Sequence, residues 1–243
     1  MAVYTEETAK ANVRVRDGKR VFYLDDRDHL TPSARVWLQR DHVEILPAAL
    51  AKPQCFTTLS GAMLTEKPEH MTHLRGNVLV PKDHPRIAFR GMLDSLEAEL
   101  LLCGRTALDE GQTGTAENLR EILDFVRRLV RCDVLEEPVK DGALCGLTAA
   151  ELRERSHNPQ KYYDQPHFMP TASDSRTLLA LNRVRTVIRQ TELAAYAAFK
   201  DMDGNATRPD LLQALNRLSS LLWILMIQNK KGGDCPWKWS LTV

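Results

Sequence analysis

Two arginines on one stretch of the chain are the residues best placed to do chemistry. Arg185 and Arg189 are four residues apart, so in a helix their guanidinium groups project from the same face. Glu192 follows three residues later and could pair with either of them. Because a guanidinium can donate two parallel hydrogen bonds to a phosphate, the pattern is compatible with a polyanion site. It is equally compatible with a solvated basic face.

Two polar residues lie among apolar neighbours and need an explanation. Asn216 follows Leu215, and Asp94 lies within an apolar segment, residues 92–96. A polar group near a packed face must find a hydrogen-bond partner, and a partly buried carboxylate needs a cation. We expect Asn216 to bond another helix or a ligand. We expect Asp94 to pair with a cation, which the helix of Arg185 could supply; a structural ion pair explains Asp94 as well as catalysis does.

The sequence gives little sign of a protein-bound metal. His70 and His73 are three residues apart and could bind a metal on a helix, but no third ligand follows at a recognisable spacing. The five cysteines include no Cys-x-x-Cys pair. Walker A, G-x-G-x-x-G and G-x-S-x-G motifs are absent from the sequence. The residues alone therefore predict a helical bundle with an internal arginine cluster and no metal site.

The elements that must position these residues are helices. Apolar residues recur at spacings of three and four from residue 85 onward, with proline and capping residues at the predicted helix starts. The predicted helices span residues 85–102, 115–134, 148–156, 173–200 and 207–230. Residues 158–170 contain several Pro and Tyr and are predicted to form a loop. Five helices, four of them long, favour a bundle, so the fold class is all-α.

The first part of the chain has a different pattern. Residues 13–15 and 20–24 read as strands that flank a turn at Asp17 and Gly18. A short helix is predicted over 34–40, a further strand over 43–46 and a linker over 47–53. We therefore predict two domains, a small α/β appendage in residues 1–60 and the helical bundle in residues 61–243.

Composition excludes some classes of partner. The chain has 33 Lys and Arg against 32 Asp and Glu, so no general attraction to nucleic acid or to an anionic membrane is expected. The N-terminus lacks the apolar segment of a signal peptide, and the longest apolar run, residues 221–227, is far below the roughly 20 residues that span a bilayer. We expect a cytoplasmic protein with no nucleic-acid and no membrane partner.

Six short motifs, taken in order, resemble those of the PduO-type ATP:corrinoid adenosyltransferases. They are T-H-L-R-G at 72–76, K-D-H-P-R at 82–86, L-D-S-L-E-A at 93–98, H-F-M-P at 167–170, R-T-V-I-R-Q-T-E at 185–192 and L-N-R-L-S-S at 215–220. Within that superfamily, segments 30–35, 67–74 and 208–216 are most similar to the ethanolamine-utilisation branch, the EutT type.

The resemblance implies a fold and an activity. The fold would be the five-helix bundle of corrinoid adenosyltransferases, assembled as a homo-oligomer, with a trimer favoured and with sites between subunits. The activity would be transfer of the 5′-deoxyadenosyl group of ATP to Co(I) of cob(I)alamin, which forms adenosylcobalamin and releases triphosphate. ATP, Mg²⁺ and the substrate cobalamin are the implied ligands. A reductase and ethanolamine ammonia-lyase are candidate partners in ethanolamine utilisation, and a bacterial microcompartment is a candidate location within the cytoplasm.

The resemblance also implies roles for individual residues. Phe168 would bind the corrinoid and displace the lower axial base from cobalt, and Asp94 would hold Arg185 in place, so that Arg185, Asp94 and Phe168 form the catalytic set. The implied ATP-binding residues are Thr72, Lys82, Arg185, Arg189, Glu192 and Asn216.

The sequence also departs from the family pattern. Residues 67–70 replace a glycine-rich G-D-x-G element, and Ser220 replaces an aspartate. Many EutT-type proteins carry a His followed by Cys-Cys-x-x-Cys, which this chain lacks, so no bound Fe or Zn is expected. The alternatives are a non-catalytic corrinoid carrier or chaperone, a microcompartment-associated interaction protein that docks through residues 1–60, and a different nucleotide enzyme on the same bundle.

Overall fold

The computed structural model describes residues 2–16, 18–50, 55–232 and 234, and the chain divides into two compact units. The first unit comprises residues 1–56 and 62–66, and the second comprises 57–61 and 67–243. The predicted turn at Asp17, part of the predicted linker (residues 51–54) and the tail from 235 onward lie outside the described residues.

The first unit is a small α/β structure, as the sequence predicted. Its elements are β1 (Val3–Tyr4), α1 (Glu6–Asn12), β2 (Arg14–Arg16), β3 (Lys19–Leu24), β4 (His29–Leu30), α2 (Pro32–Arg40), β5 (Glu44–Pro47) and a 3₁₀ turn (Ala48–Leu50). Strand β3 pairs antiparallel with β2 and parallel with β5. Phe22 and Leu38 are fully buried in its small core. Helix α1, which Thr5 caps, was not predicted.

Two short strands and a hairpin precede the helices of the second unit. They are β6 (Phe56–Thr58), β7 (Met63–Leu64), β8 (Met71–Arg75) and β9 (Val78–Pro81). Strand β9 pairs antiparallel with β8, and its register with β6 joins Thr57 to Val78. The sequence analysis missed the β8–β9 hairpin. His73 lies on β8, so the idea of a helical metal site with His70 was wrong.

The second unit is a helical bundle that contains the five helices predicted from residue 85 onward. The helices are α3 (Pro85–Asp109), α4 (Thr113–Val134), α5 (Ala149–His157), α6 (Pro159–Tyr163), α7 (Arg176–Phe199) and α8 (Pro209–Lys230). The short helix α6 corrects the prediction of an unbroken loop over 158–170. Proline is well suited to the first position of a helix, and Pro159 begins α6 there. Asp164 ends the helix in a left-handed conformation.

Helix α8 supplies the centre of the bundle core. It is long enough to cross a membrane and has a mean hydropathy of 1.2. Its apolar side chains, however, pack against α7 and α5 in the core. Those with no exposed surface are Leu211, Leu215, Leu218, Leu221, Leu222, Ile224, Leu225, Met226 and Ile227. Packing within the bundle therefore accounts for the apolar composition of α8.

Helices α3 and α7 run antiparallel. Phe89 near the start of α3 makes an edge-to-face contact with Phe199 at the end of α7, with ring centroids 5.8 Å apart. Further along α3, Glu99 forms an ion pair with Arg183, at 3.0 Å. The start of α3 therefore lies at the Phe199 end of α7.

A buried carboxylate ties the hairpin to the start of α3 and the end of α4. Asp133 has no exposed surface, and it accepts hydrogen bonds from Arg86, at 3.0 Å, and from Arg90. Arg90 also donates to the backbone oxygen of Leu74 on β8, at 2.8 Å. Because a carboxylate is costly to bury without cations, this cluster forms only when the three elements come together.

Helix α4 is capped by a residue far along the chain. Gln112 precedes the helix and makes no side-chain cap. The carboxylate of Asp234 accepts instead from the backbone N–H groups of Gly114, at 2.7 Å, and Thr115, at 2.8 Å. Negative charge is favourable at a helix N-terminus. Asp234 therefore has a structural role that the sequence analysis did not assign.

We expect Asp133→Asn to destabilise the protein by about 3–5 kcal/mol, because Arg90 would be left largely buried without a counter-ion and Arg86 would keep only Glu136, at 2.9 Å. Urea unfolding followed by circular dichroism measures the loss. Asp124→Asn on the same helix is the control. Asp124 is exposed and forms a long ion pair with Arg127, at 3.8 Å, and such a surface pair contributes about 0–1 kcal/mol. Equal losses for the two variants would contradict the role of Asp133.

Candidate functional site

A cavity of about 920 Å³ opens between α5, α7, α8 and the segment that precedes α7. Its lining includes four residues singled out from the sequence: Phe168, Arg185, Arg189 and Asn216. They come from three separate parts of the second unit, so packing of α7 against α8 is what brings them together.

Arg185 is the cation of this cavity that lies furthest from water. Its Nη2 donates to Oδ1 of Asn182, at 3.1 Å, and its guanidinium lies 5.8 Å from the ring centre of Trp223. Its Nε is buried and has no hydrogen-bond acceptor. Burial lowers the pKa of Arg185, and the charge of Arg189 lowers it further. A partly buried cation with an unpaired donor favours the binding of an anion beside it.

The other polar residues extend this cationic wall. Arg189 is exposed one turn after Arg185 on α7. Asn216 on α8 donates to Oε1 of Glu192 on α7, at 3.2 Å, so it makes a hydrogen bond between helices. Glu192 is therefore bonded to Asn216, and it forms no ion pair with Arg189.

An aromatic stack forms another part of the cavity wall. The ring of Phe168 stacks on Trp223 with centroids 5.1 Å apart and an angle of 24° between planes. His167 stacks on the same indole at 5.7 Å and 11°. Phe168 is half-buried, so part of its ring remains open to the cavity. Such a surface suits a large, flat and partly apolar ligand.

Thr72 and Lys82 are not brought to this cavity within one chain. Thr72 lies on β8, and Lys82 follows β9, exposed and 3.9 Å from Glu69. Their hairpin is bonded to the start of α3, which lies at the Phe199 end of α7. Arg185 and Phe199 are separated by about 21 Å along the helix axis.

The expected ion pair of Asp94 with Arg185 is not formed within the chain. Asp94 is exposed and makes no ion pair with another described residue. The reason is its position on α3. Asp94, Leu101 and Leu108 are seven residues apart and share an exposed face, whereas Glu99 is the residue that reaches Arg183 on α7.

The structure adds residues to the cavity that the sequence analysis did not assign. Arg153 on α5, and Arg217 and Trp223 on α8, also line it. Trp223 follows Asn216 by seven residues, two helical turns, and this spacing could have placed both on one face of α8. Nothing in the sequence around Arg153 pointed to the site.

No metal centre is seen in the described part of the chain. Among residues 2–16, 18–50, 55–232 and 234, no three His, Cys, Asp or Glu side chains cluster as a metal would need. Cys103 is buried, and burial raises the pKa of its thiol to about 12, which disfavours the thiolate form that binds metals.

Comparison with known proteins identifies the family. The sequence model of the family described as "Cobalamin adenosyltransferase" matches residues 62–228. The chain belongs to the cobalamin adenosyltransferase family. The match covers the helical bundle and every residue of the cavity.

Curated relatives extend this likeness over nearly the whole chain. The corrinoid adenosyltransferase EutT of Escherichia coli K12 is 33% identical over 246 residues, covering 92% of this chain and 90% of the relative. EutT of Salmonella typhimurium is 32% identical with the same coverage. The resemblance to the EutT branch of the cobalamin adenosyltransferase family is thereby confirmed.

Solved structures confirm the fold. Two variants of the PduO-type ATP:corrinoid adenosyltransferase of Lactobacillus reuteri, each complexed with cobalamin and ATP, superpose with a TM-score of 0.52. The first is 18% identical and covers 70% of this chain and 94% of its own; the second is 19% identical and covers 72% and 93%. The predicted bundle of the cobalamin adenosyltransferase family is therefore correct.

Proposed function

We propose that this protein transfers the 5′-deoxyadenosyl group of ATP to Co(I) of cob(I)alamin, forming adenosylcobalamin and releasing triphosphate. The observation that carries the proposal is the indole of Trp223, which contacts the Arg185 guanidinium and also the ring of Phe168. One cavity thus joins a cationic wall suited to phosphate with an aromatic wall suited to a corrin. Membership of the cobalamin adenosyltransferase family supports the same function.

The cationic wall would bind the triphosphate of ATP with its Mg²⁺. Arg185 and Arg189 can each donate bidentate hydrogen bonds to phosphate oxygens. Arg185 has an unused buried donor, which an anion in the cavity could accept from. Asn216 would contact the nucleotide, and its bond to Glu192 would keep a carboxylate near the metal ion.

The aromatic wall would bind the corrinoid. Phe168, supported from behind by Trp223, would occupy the position below cobalt and exclude the lower axial base. Loss of that donor destabilises the higher charge on cobalt, so reduction to Co(I) becomes easier.

The transfer itself needs position and charge more than acid–base chemistry. Co(I) attacks C5′ of ATP, the cobalt–carbon bond forms while the C5′–O bond breaks, and triphosphate leaves with the electron pair. The protein would hold the two reactants in line. Arg185 and Arg189 would stabilise the charge that accumulates on the leaving group.

Residues that do not reach the cavity in one chain would complete it from a second chain. Asp94 shares the exposed face of α3 with Leu101, 55% exposed, and Leu108, 50% exposed. Apolar residues in that position are typical of a subunit interface. In a homo-oligomer, with a trimer favoured, Asp94 could reach Arg185 of a neighbour, and Thr72 and Lys82 could reach its bound ATP.

The names of the curated relatives support a place in ethanolamine utilisation. The product would serve ethanolamine ammonia-lyase, and a reductase would supply Co(I). We place the protein in the cytoplasm, with a bacterial microcompartment as a candidate location.

We expect Arg189→Ala to lower kcat/KM for ATP about 100-fold, because a charge-assisted hydrogen bond to the leaving triphosphate is lost. The measurement is anaerobic incubation with ATP, Mg²⁺ and chemically reduced cobalamin, scanned for formation of the cobalt–carbon bond. Arg183→Ala on the same helix is the control, since Arg183 pairs with Glu99 outside the cavity. If the wild type binds cobalamin but forms no cobalt–carbon bond when ATP is added, the protein is a non-catalytic corrinoid carrier instead.

We expect Phe168→Ala to slow the adenosylation of cobalamin about ten-fold more than that of cobinamide, which has no tethered lower base to displace. Rates with both corrinoids are compared from the Co(II) state with the same reductant, because Co(I) has already lost its lower base. Met202→Ala is the control, because Met202 is fully exposed in the turn between α7 and α8 and does not line the cavity. Equal losses on the two substrates would remove the displacement role from Phe168.

We expect the wild type to form a homo-oligomer and Leu101→Asp to dissociate it, because a charge at the centre of an apolar interface is costly to bury. Light scattering after size exclusion gives the mass. Leu135→Asp is the control, since Leu135 is equally exposed (54%) but lies at the end of α4. A monomeric wild type at the concentrations of the activity assay would contradict the shared site.

A further inference from the structure

A second cavity, of about 820 Å³, adjoins the candidate site. It lies between α4, α5, α8 and the segment over residues 137–144. Its walls are largely apolar, with Phe125, Leu129, Leu152 and Ala214 among them. A smaller pocket, lined by residues 141–143 and 148–150, shares residues with both cavities. Arg217 lines all three spaces, and Arg153 lines the first cavity and the smaller pocket. The two arginines therefore stand where the cavities meet.

Arg153 and Arg217 carry like charges that are close enough to repel each other. Neither forms an ion pair with a carboxylate of the described residues. Burial lowers the pKa of Arg217, the charge of Arg153 lowers it further, and Glu192 opposes both effects only in part. Other arginines nearby are satisfied: Arg155 pairs with Glu151, at 3.0 Å, on the same helix as Arg153. An anion between Arg153 and Arg217 would relieve their repulsion.

We propose that this pair binds the phosphodiester of the nucleotide tail of cobalamin, and that the second cavity receives the benzimidazole base after its displacement from cobalt. The proposal rests on the proposed function, since it concerns the same corrinoid substrate. It gives the displaced base a defined place on the protein.

The order of the binding groups along α8 matches the covalent order of the ligand. Trp223 lies at the corrin position, and Arg217 is about 9 Å away along the helix axis. Gln213, which lines the second cavity, is about 6 Å further in the same direction. Corrin ring, phosphodiester and base follow one another in the same sequence in cobalamin.

The chemistry of the second cavity suits a neutral aromatic base. Phe125 is partly exposed there, with the guanidinium of Arg128 5.3 Å from its ring centre, and a flat base can stack on such a surface. Arg131 pairs with Glu137, at 3.1 Å, and Asp210 pairs with Arg208, at 2.8 Å, so these four charges are compensated within the chain. Arg128 and Lys140 also line the cavity, and neither forms an ion pair with a carboxylate of the described residues. Arg128 and Lys140 line the second cavity alone, whereas Arg153 and Arg217 both line the first, so these two arginines lie between corrin and base, where the phosphodiester would be.

The test compares cobalamin with cobinamide, which lacks the phosphodiester and the base. In Arg153→Gln, the ratio of KM for cobalamin to KM for cobinamide should rise about ten-fold, the effect of losing one charge-assisted hydrogen bond. The ratio should not change in Arg155→Gln, the matched control on α5. A rise in both KM values together, or in KM for ATP instead, would overturn the proposal.

A second measurement does not depend on turnover. Isothermal calorimetry with the detached tail, α-ribazole 3′-phosphate, should show binding to the wild-type protein and about ten-fold weaker binding to Arg153→Gln and to Arg217→Gln. Absence of binding to the folded wild type would overturn the tail site. If the tail binds but no corrinoid is adenosylated, the tail site stands and the adenosyltransferase function fails.

Discussion

The site depends on one constraint, a guanidinium that is held partly out of water and that pairs with no carboxylate in the part of the chain that the structure describes. Arg185 is surrounded by Asn182, Trp223 and the like charge of Arg189. In most proteins a cation in that position is paired, because desolvation of a charge is costly. Here its charge remains available, and the neighbouring cavity gives an anion access to it. The proposed binding of a polyphosphate therefore follows from the Arg185 guanidinium, which the fold does not pair with a carboxylate of the described residues.

The contrast with Asp133 makes this clear. That carboxylate is fully buried, but Arg86 and Arg90 satisfy it within the chain. It joins the β8–β9 hairpin to α3 and α4. Each of its two oxygens already accepts a hydrogen bond from an arginine, and the carboxylate is closed to a ligand by its burial. Two clusters of charge in the same bundle thus have opposite roles, and the difference lies in whether partners are present in the same chain.

The aromatic and cationic walls are coupled through a single side chain. Trp223 stacks on Phe168 and lies under the guanidinium of Arg185. A change in the position of the indole would therefore affect both proposed substrates at once. On the same helix, Arg217 continues the site toward the second cavity, so α8 serves as the common support of all three regions.

The sequence by itself determined the five bundle helices, the small α/β unit and the candidate residues Arg185, Arg189, Asn216 and Phe168, because apolar spacing and local motifs depend on neighbours along the chain. It did not show that Asp94 lies away from Arg185 within one chain, and it missed α1, α6, the β8–β9 hairpin, Arg153 and the cap from Asp234. Most of these features depend on which helix faces which and on contacts across as many as 120 residues. Only the tertiary structure decided that Arg185 meets Trp223 and that Thr72 and Lys82 lie far from both, since packing and not sequence spacing sets those distances.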